Sequence, residues 1–203
     1  AVAELKETEF SELFKDEKPI REKVSEEEPE TQEELNIINR HLKTSMDRFR
    51  IEHNISAFIP GDYISNDTER INIYKRIYSL MPKEDFSEVE DIRTELIDRF
   101  GRLPAETDNL LGIIRLRLAA ISLGIESLTI EDNTVQIELP QDKTHPIFET
   151  AFFRNLISAM SDDKSGKYDI VPSRNQFIIK VRFAKNITTS EDLKQITDIL
   201  KSK

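Results

Sequence analysis

Cysteine and tryptophan are absent from this chain of 203 residues, and it has only five glycines and three histidines. Each shortage removes a class of chemistry. Without cysteine there is no disulfide framework, no thiolate metal site and no thiol nucleophile, which is compatible with a reducing cytoplasm. Gly61, Gly101, Gly112, Gly124 and Gly166 stand far apart. None opens a G-x-x-x-x-G-K-[ST] or G-x-G-x-x-G loop of the kind that cradles phosphates. His41, His53 and His145 lack metal-ligand spacing, and His53 reads as a satisfied core histidine on the apolar face of a strand. No Ser-His-Asp set can be assembled. No apolar run approaches the ~18 residues of a membrane span. The opening Ala1-Val2-Ala3-Glu4-Leu5-Lys6 has neither the basic start nor the apolar stretch of a signal peptide. It also lacks an initiator methionine, as either an excised fragment or a processed start would. These readings predict no catalytic residues, no metal and no cofactor.

What the chain does have is charge, unevenly placed. Residues 1–34 hold 13 acidic and 5 basic side chains, a net of −8. The remainder, with 26 acidic and 24 basic, stands at −2. The first 34 residues therefore read as an acidic linker with a short helix near Glu7–Lys15. Either a tether from a preceding domain or a solvated terminus would have this composition. Residues 35–203 read as a single α+β domain. Its basic residues are scattered, Lys75-Arg76 being the nearest thing to a cluster, so the footprint of a direct nucleic-acid ligand is missing.

Periodicity predicts the elements. Leu35, Ile38, Leu42 and Met46 mark a helix over Gln32–Arg48. Ile51, His53, Ile55 and Ala57 alternate, as in a strand ending at Pro60. Asn66 or Asp67 caps a helix whose inner face is Ile71, Tyr74, Ile77 and Leu80. A second helix spans about Glu84–Phe100, with Phe86, Val89, Leu96, Ile97 and Phe100 inward and Ile92 beside them. Gly101 ends it, and Pro104 starts a third helix that Gly124 closes. Apolar residues cover most of that helix's circumference, which places it at the centre of the packing. The last third turns to strands. A hairpin crosses Asp132-Asn133, a helix opening at Thr144 or Pro146 carries Phe148, Phe152, Leu156 and Met160, and a second hairpin crosses Pro172–Asn175. Thr188 or Thr189 caps a final helix. The fold class is α+β: an N-terminal helical cluster, then antiparallel hairpins with an intervening helix, then a C-terminal helix.

One constellation has no obvious place in a core. At ~100° per residue, Glu84, Glu88, Asp91, Glu95 and Asp98 share one side of the second helix, opposite its apolar face. Like charges at these spacings repel, and Glu95 and Asp98 sit at the end where the helix dipole disfavours acids. A solvated face and a docking face for a basic partner both fit this pattern; an acid/base pair would need a desolvated carboxyl group in a deep pocket.

The ordered set Ala57-Phe58-Ile59-Pro60-x-Asp62-Tyr63-Ile64, Arg70, Tyr74-Lys75-Arg76, Glu95-Leu96-Ile97-Asp98-Arg99-Phe100-Gly101-x-Leu103-Pro104, Asn109-Leu110-Leu111 and Leu123-Gly124-Ile125 resembles the C-terminal domain of the bacterial transcription-repair coupling factor, Mfd. The likeness covers about residues 51–125; over 126–203 it is one of element order only. Ser56 departs from the acidic residue often found before the alanine, and residues 7–50 look like a variable insertion. The resemblance implies a non-catalytic regulatory domain of an ATP-dependent DNA translocase. Such a domain docks on the N-terminal UvrA-binding module and masks it until RNA polymerase is engaged. UvrA and the polymerase would then be indirect partners, in the cytoplasm. It also implies that Glu95 and Asp98 contact arginines of that module. With Glu88, Asp91 and Arg99 they form the candidate docking set; Arg99 is open to either an internal ion pair or a partner contact. The alternatives are a general interaction module for another partner, such as polymerase itself, and a small carboxylate hydrolase.

Overall fold

A helix that is apolar all round can be stable only if other elements enclose it, and the rest of this chain is arranged to do so. The computed structural model describes residues 44–83, 85–171 and 177–201. The chain divides into two units, Ala1–Asn36 and Ile37–Lys203, and every described residue belongs to the second. The predicted acidic linker with its helix, the predicted helix before residue 44, Glu84 and the turn Pro172–Asn175 lie outside the described residues.

The first element described in full is strand β1, Arg50–His53. Three helices follow: α1, Asp67–Tyr78; α2, Ser87–Phe100; and α3, Ala105–Leu123. A hairpin of β2, Ser127–Glu131, and β3, Thr134–Leu139, leads through a 3-10 turn at Pro146–Glu149 to α4, Ala151–Asp162. Then come β4, Tyr168–Val171, β5, Phe177–Arg182, and α5, Ser190–Leu200.

The strands form one sheet in the order β1-β2-β3-β5-β4. Both predicted hairpins are present and antiparallel. The class is α+β as expected, but the sheet is mixed: β1 pairs in parallel with β2, Ile51 opposite Leu128. A parallel neighbour needs a long crossover, and here α1, α2 and α3 supply it. β1 is also shorter than predicted, because the chain beyond it is held by α3 instead of by a strand. Phe58 donates its N–H to the Glu106 carbonyl, Thr107 Oγ1 donates to the Phe58 carbonyl, and Asn109 Nδ2 donates to the carbonyls of Ser56 and Thr188.

α3 is buried on nearly every side, from Thr107 through Ile121. Ile73 and Ile77 of α1 and Val89, Ile92 and Leu96 of α2 pack with Leu110, Leu111, Ile114 and Leu118 of α3. Each such side chain contributes about 1.5–3 kcal/mol on burial. Two predicted faces are rotated. Ile73, not Ile71, points inward on α1, and Ile71 is 52% exposed. On α2, Ile92 is core and Ile97 is 40% exposed. In both cases the true face follows the i, i+3, i+4, i+7 rows closest to α3. The predicted fourth helix is broken at Thr150, whose side chain caps α4 by accepting from the Phe153 N–H. Phe148, left in the preceding turn, packs edge-on against Phe153 with ring centroids 5.0 Å apart.

α5 starts at a capping box, in which Thr189 accepts from the Asp192 N–H while the Asp192 carboxylate accepts from the Thr189 N–H. Burial alone would raise the Asp192 pKa. Lys185, the Thr189 hydroxyl and the backbone N–H groups of Thr188 and Thr189 outweigh it and hold the carboxyl at about 2. A folded-state pKa below the unfolded value of ~3.9 adds stability that is complete above that value and is lost as pH falls from about 4 towards 2. Asp192→Asn should therefore cost about 1–2 kcal/mol at neutral pH. The cost should shrink through this acid window, as read by denaturant titration at several pH values. Gly124 closes α3 at φ 78°, ψ 26°, and a Cβ there would overlap the imidazole ring of His145. Gly124→Ala should lower stability by about 1–3 kcal/mol, measured the same way.

Candidate functional site: the outer ridge of the second helix

α2 lays Val89, Ile92 and Leu96 on α3, so the opposite side of the helix faces solvent. Its C-terminal end is fixed in place. Gly101 takes φ 84°, ψ −157°, a conformation essentially reserved for glycine. The Tyr63 hydroxyl lies 2.9 Å from the Leu96 carbonyl and 3.1 Å from that of Gly101, and donates to both. The Gly101 carbonyl lies past the last turn of α2 and has no partner within the helix. The Tyr63 ring also meets Phe100 edge-on at 5.8 Å. Tyr63 is held in turn by the segment before α1, where Arg70 Nη1 donates to the Ile64 carbonyl at 2.6 Å. Next to it, the Ile59 N–H donates to the Tyr74 hydroxyl at 2.7 Å. Ile59, Tyr63, Ile64, Arg70 and Tyr74 thus act as one brace under the ridge, an architectural role for a large share of the residues that carry the family resemblance.

The ridge is not a bare row of acids. Glu95 accepts from Arg76 of α1 and, at 3.1 Å, from Arg99 one turn on. Arg99 also pairs with Glu69 of α1 and places its guanidinium 4.9 Å from the centre of the Phe100 ring. Arg76, foremost, and Arg99 hold the Glu95 carboxyl below the usual carboxylate range, and Glu95 in turn raises the pKa of Arg99. Glu88 meets Lys83 at 3.1 Å. Asp91 and Asp98 are exposed and form no ion pair among the described residues. Of the candidate set, then, Glu95, Glu88 and Arg99 are internally paired, and Asp91 and Asp98 stand free. Thr94 and Ile97 lie exposed between them on the outermost rows.

Arg99 thus has its internal ion pair, the alternative that helical spacing alone left open. Arg76 and Glu69 entered no sequence reading of the site. The only available signal was that Tyr74-Lys75-Arg76 and Asn66–Arg70 lie on the neighbouring helix; cross-helix pairing is not periodic along the chain. Between α1 and α2 runs a groove of about 490 Å³, lined by Asn66, Glu69, Asn72, Arg76, Glu95 and Arg99, among others. On the far flank, Arg93 pairs with Asp108 at 2.8 Å and Arg115 pairs with Glu90, tying α2 to α3. Pairs this exposed contribute ~0–1 kcal/mol each. They orient side chains; the apolar contacts beneath hold the helices.

Among the described residues no group of three or more His, Asp or Glu could hold a metal. His53 is half-buried on β1, and its Nδ1 lacks a hydrogen bond among the described residues. No helix of the described residues is long and apolar enough to cross a membrane.

A braced helical motif carrying an acidic ridge beside a mixed sheet describes a domain of α+β class. Comparison with known proteins gives the family. Residues 53–149 match the TRCF domain family. Two relatives are the transcription-repair-coupling factors of Rickettsia bellii, 33% identical over 135 residues, and of Staphylococcus aureus, 33% identical over 104 residues. Those alignments cover 66% and 51% of this chain but only 11% and 9% of the relatives. The chain therefore spans about a tenth of the proteins it matches. A crystal structure of the C-terminal domain of a transcription-repair coupling factor superposes with a TM-score of 0.59. It covers 75% of this chain and 89% of its own length at 22% identity, a likeness of fold. The chain belongs to the TRCF domain family through residues 53–149.

Tyr63→Phe removes the hydroxyl that serves two carbonyls at the end of α2. We expect a loss of about 1 kcal/mol. Amide exchange should also quicken near Arg99–Gly101 before the rest of α2, measurable by hydrogen exchange followed residue by residue.

Proposed function

We propose that this chain is a regulatory, non-catalytic domain of a transcription-coupled repair translocase, and that the outer ridge of α2 docks on the UvrA-binding module of the parent protein. Docking covers that module's UvrA-binding surface until RNA polymerase is engaged. The relatives bear the name transcription-repair-coupling factor, and by that kinship we place this chain in repair, in the cytoplasm. The observation that carries the proposal is the contrast along α2. Glu88 and Glu95 have basic partners, whereas Asp91 and Asp98 are exposed with no basic partner among the described residues, beside an isoleucine that is 40% exposed. Two unpaired acids flanking an apolar side chain are suited to a basic protein surface with an apolar centre.

The electrostatics run against acid/base chemistry here. The Glu95 carboxyl is shifted down by its arginine partners, whereas a carboxyl group poised as a general acid is shifted up.

The test replaces the two free acids and leaves the paired ones alone. Asp91→Lys with Asp98→Lys should keep the wild-type melting temperature, since neither side chain supports the core. Affinity for the separately produced UvrA-binding module, titrated by calorimetry at low salt, should fall roughly tenfold or more. Unchanged affinity refutes the ridge as the docking site. Capture of RNA polymerase in place of the module would reassign the same face to another partner.

A further inference from the structure

The network that joins α1 to α2 has a consequence for docking. Glu95 occupies the middle of the ridge, yet its two carboxylate oxygens are already served, one by Arg76 and the other by Arg99 at 3.1 Å. Arg99 is drawn the other way by Glu69. The four residues form a chain of alternating sign, Arg76–Glu95–Arg99–Glu69, with no net charge, along the groove between the helices. Any cation from a partner that seeks Glu95 meets a guanidinium already in place.

We infer that Arg76 is a built-in competitor: it occupies Glu95 in the undocked domain and must yield that carboxylate, wholly or in part, when a basic protein surface binds the ridge. This inference rests on the docking role proposed above and adds a residue that sets its strength. Three observations support it. First, Arg76 comes from α1, so it can leave Glu95 without disturbing α2. Second, its side chain is 49% exposed and that of Glu95 34%, so the pair is accessible and water can solvate Arg76 as it swings out. Third, the core of α1 is carried by Ile73 and Ile77, so the fold does not depend on the pair.

Glu69 has the opposite role. It diverts Arg99 from Glu95, so it lowers the internal competition that Glu95 experiences. Removing Arg76 should therefore strengthen docking and removing Glu69 should weaken it, although neither residue lies on the ridge. A merely architectural pair joining two helices would give the same sign for both changes.

The experiment uses the 203-residue chain and the separately produced UvrA-binding module of a transcription-repair coupling factor from the same genome, titrated by calorimetry at low and at moderate salt. Arg76→Gln should bind about 3- to 10-fold tighter than wild type at low salt, with the gain shrinking as salt rises. Glu69→Gln should bind several-fold more weakly. Both should melt near the wild-type temperature. Should either variant lose its fold, Arg76→Lys and Glu69→Asp provide the same comparison with smaller shifts of the same signs. Equal or weaker binding by Arg76→Gln, or shifts of the same sign for both variants, overturns the competitor role, and the docking face still stands if Asp91→Lys with Asp98→Lys loses binding. Failure of the wild-type chain to bind the module overturns both proposals together.

Discussion

Enclosure of α3 is the constraint from which the rest of the structure follows. Twelve of its residues are buried, among them Leu110, Leu111, Ile113, Ile114, Leu116 and Leu118, spread round the cylinder so that no side can face water. α1 and α2 cover one side, α5 packs along the helix, and Asn109 fastens the segments that enter α1 and α5 by bonding the carbonyls of Ser56 and Thr188. Once α2 is committed to α3 through Val89, Ile92 and Leu96, its orientation about its own axis is fixed. The acids on the opposite side must then face outward. The ridge is a geometric consequence of the core, and a change of one methylene beneath it would be felt in where the acids stand.

Local rules broken on α2 are largely restored by its neighbour. Acids in the last turns of a helix oppose its dipole, and Glu95 alone would be such a case. Arg76 from α1 and Arg99 one turn on offset that cost, and the Tyr63 hydroxyl meets the Leu96 and Gly101 carbonyls near the same end. Asp98 receives no such compensation. Where a sequence violates a local preference and the fold does not compensate, a role outside the fold is the remaining physical reason to look for.

Much of this was legible in the chain. Periodicity and the Gly101 and Gly124 stops located the helices, Asp132-Asn133 gave the first hairpin, and Glu88, Asp91, Glu95 and Asp98 of the stripe lie on α2 away from its buried Val89, Ile92 and Leu96. The exposed Ile71 and Ile97 were misread because a helix with apolar residues on adjoining rows leaves its inward angle ambiguous by a row or so. Only the position of α3 resolves it, in favour of Ile73 and Ile92. The parallel pairing of β1 with β2 was equally out of reach. A four-residue strand carries no signal of its partner when some 70 residues intervene, and its pairing depends on how three helices pack between. Pairing across helices is hidden for the same reason. Arg76 lies 19 positions before Glu95, and their meeting depends on the register of α1 against α2, which Ile59, Tyr63, Arg70 and Tyr74 determine.

That register also shapes what kind of contact the ridge can make. Exposed ion pairs contribute ~0–1 kcal/mol, whereas a hydrogen-bonded charge pair that becomes fully desolvated can cost 2–5 kcal/mol when one partner is removed. A ridge of five unpaired acids would bind any cationic surface indiscriminately. In the proposed docking, with Glu88 and Glu95 already paired, Asp91 and Asp98 are the described ridge acids left to act at a distance, and the remaining affinity would come from close fit around Ile97 and from exchange of partners at Glu95. Exchange replaces one ion pair with another, so it changes the net free energy little while demanding correct geometry at the incoming guanidinium. Such an arrangement favours a specific contact of modest strength, one that a competing interaction elsewhere in a larger protein can release.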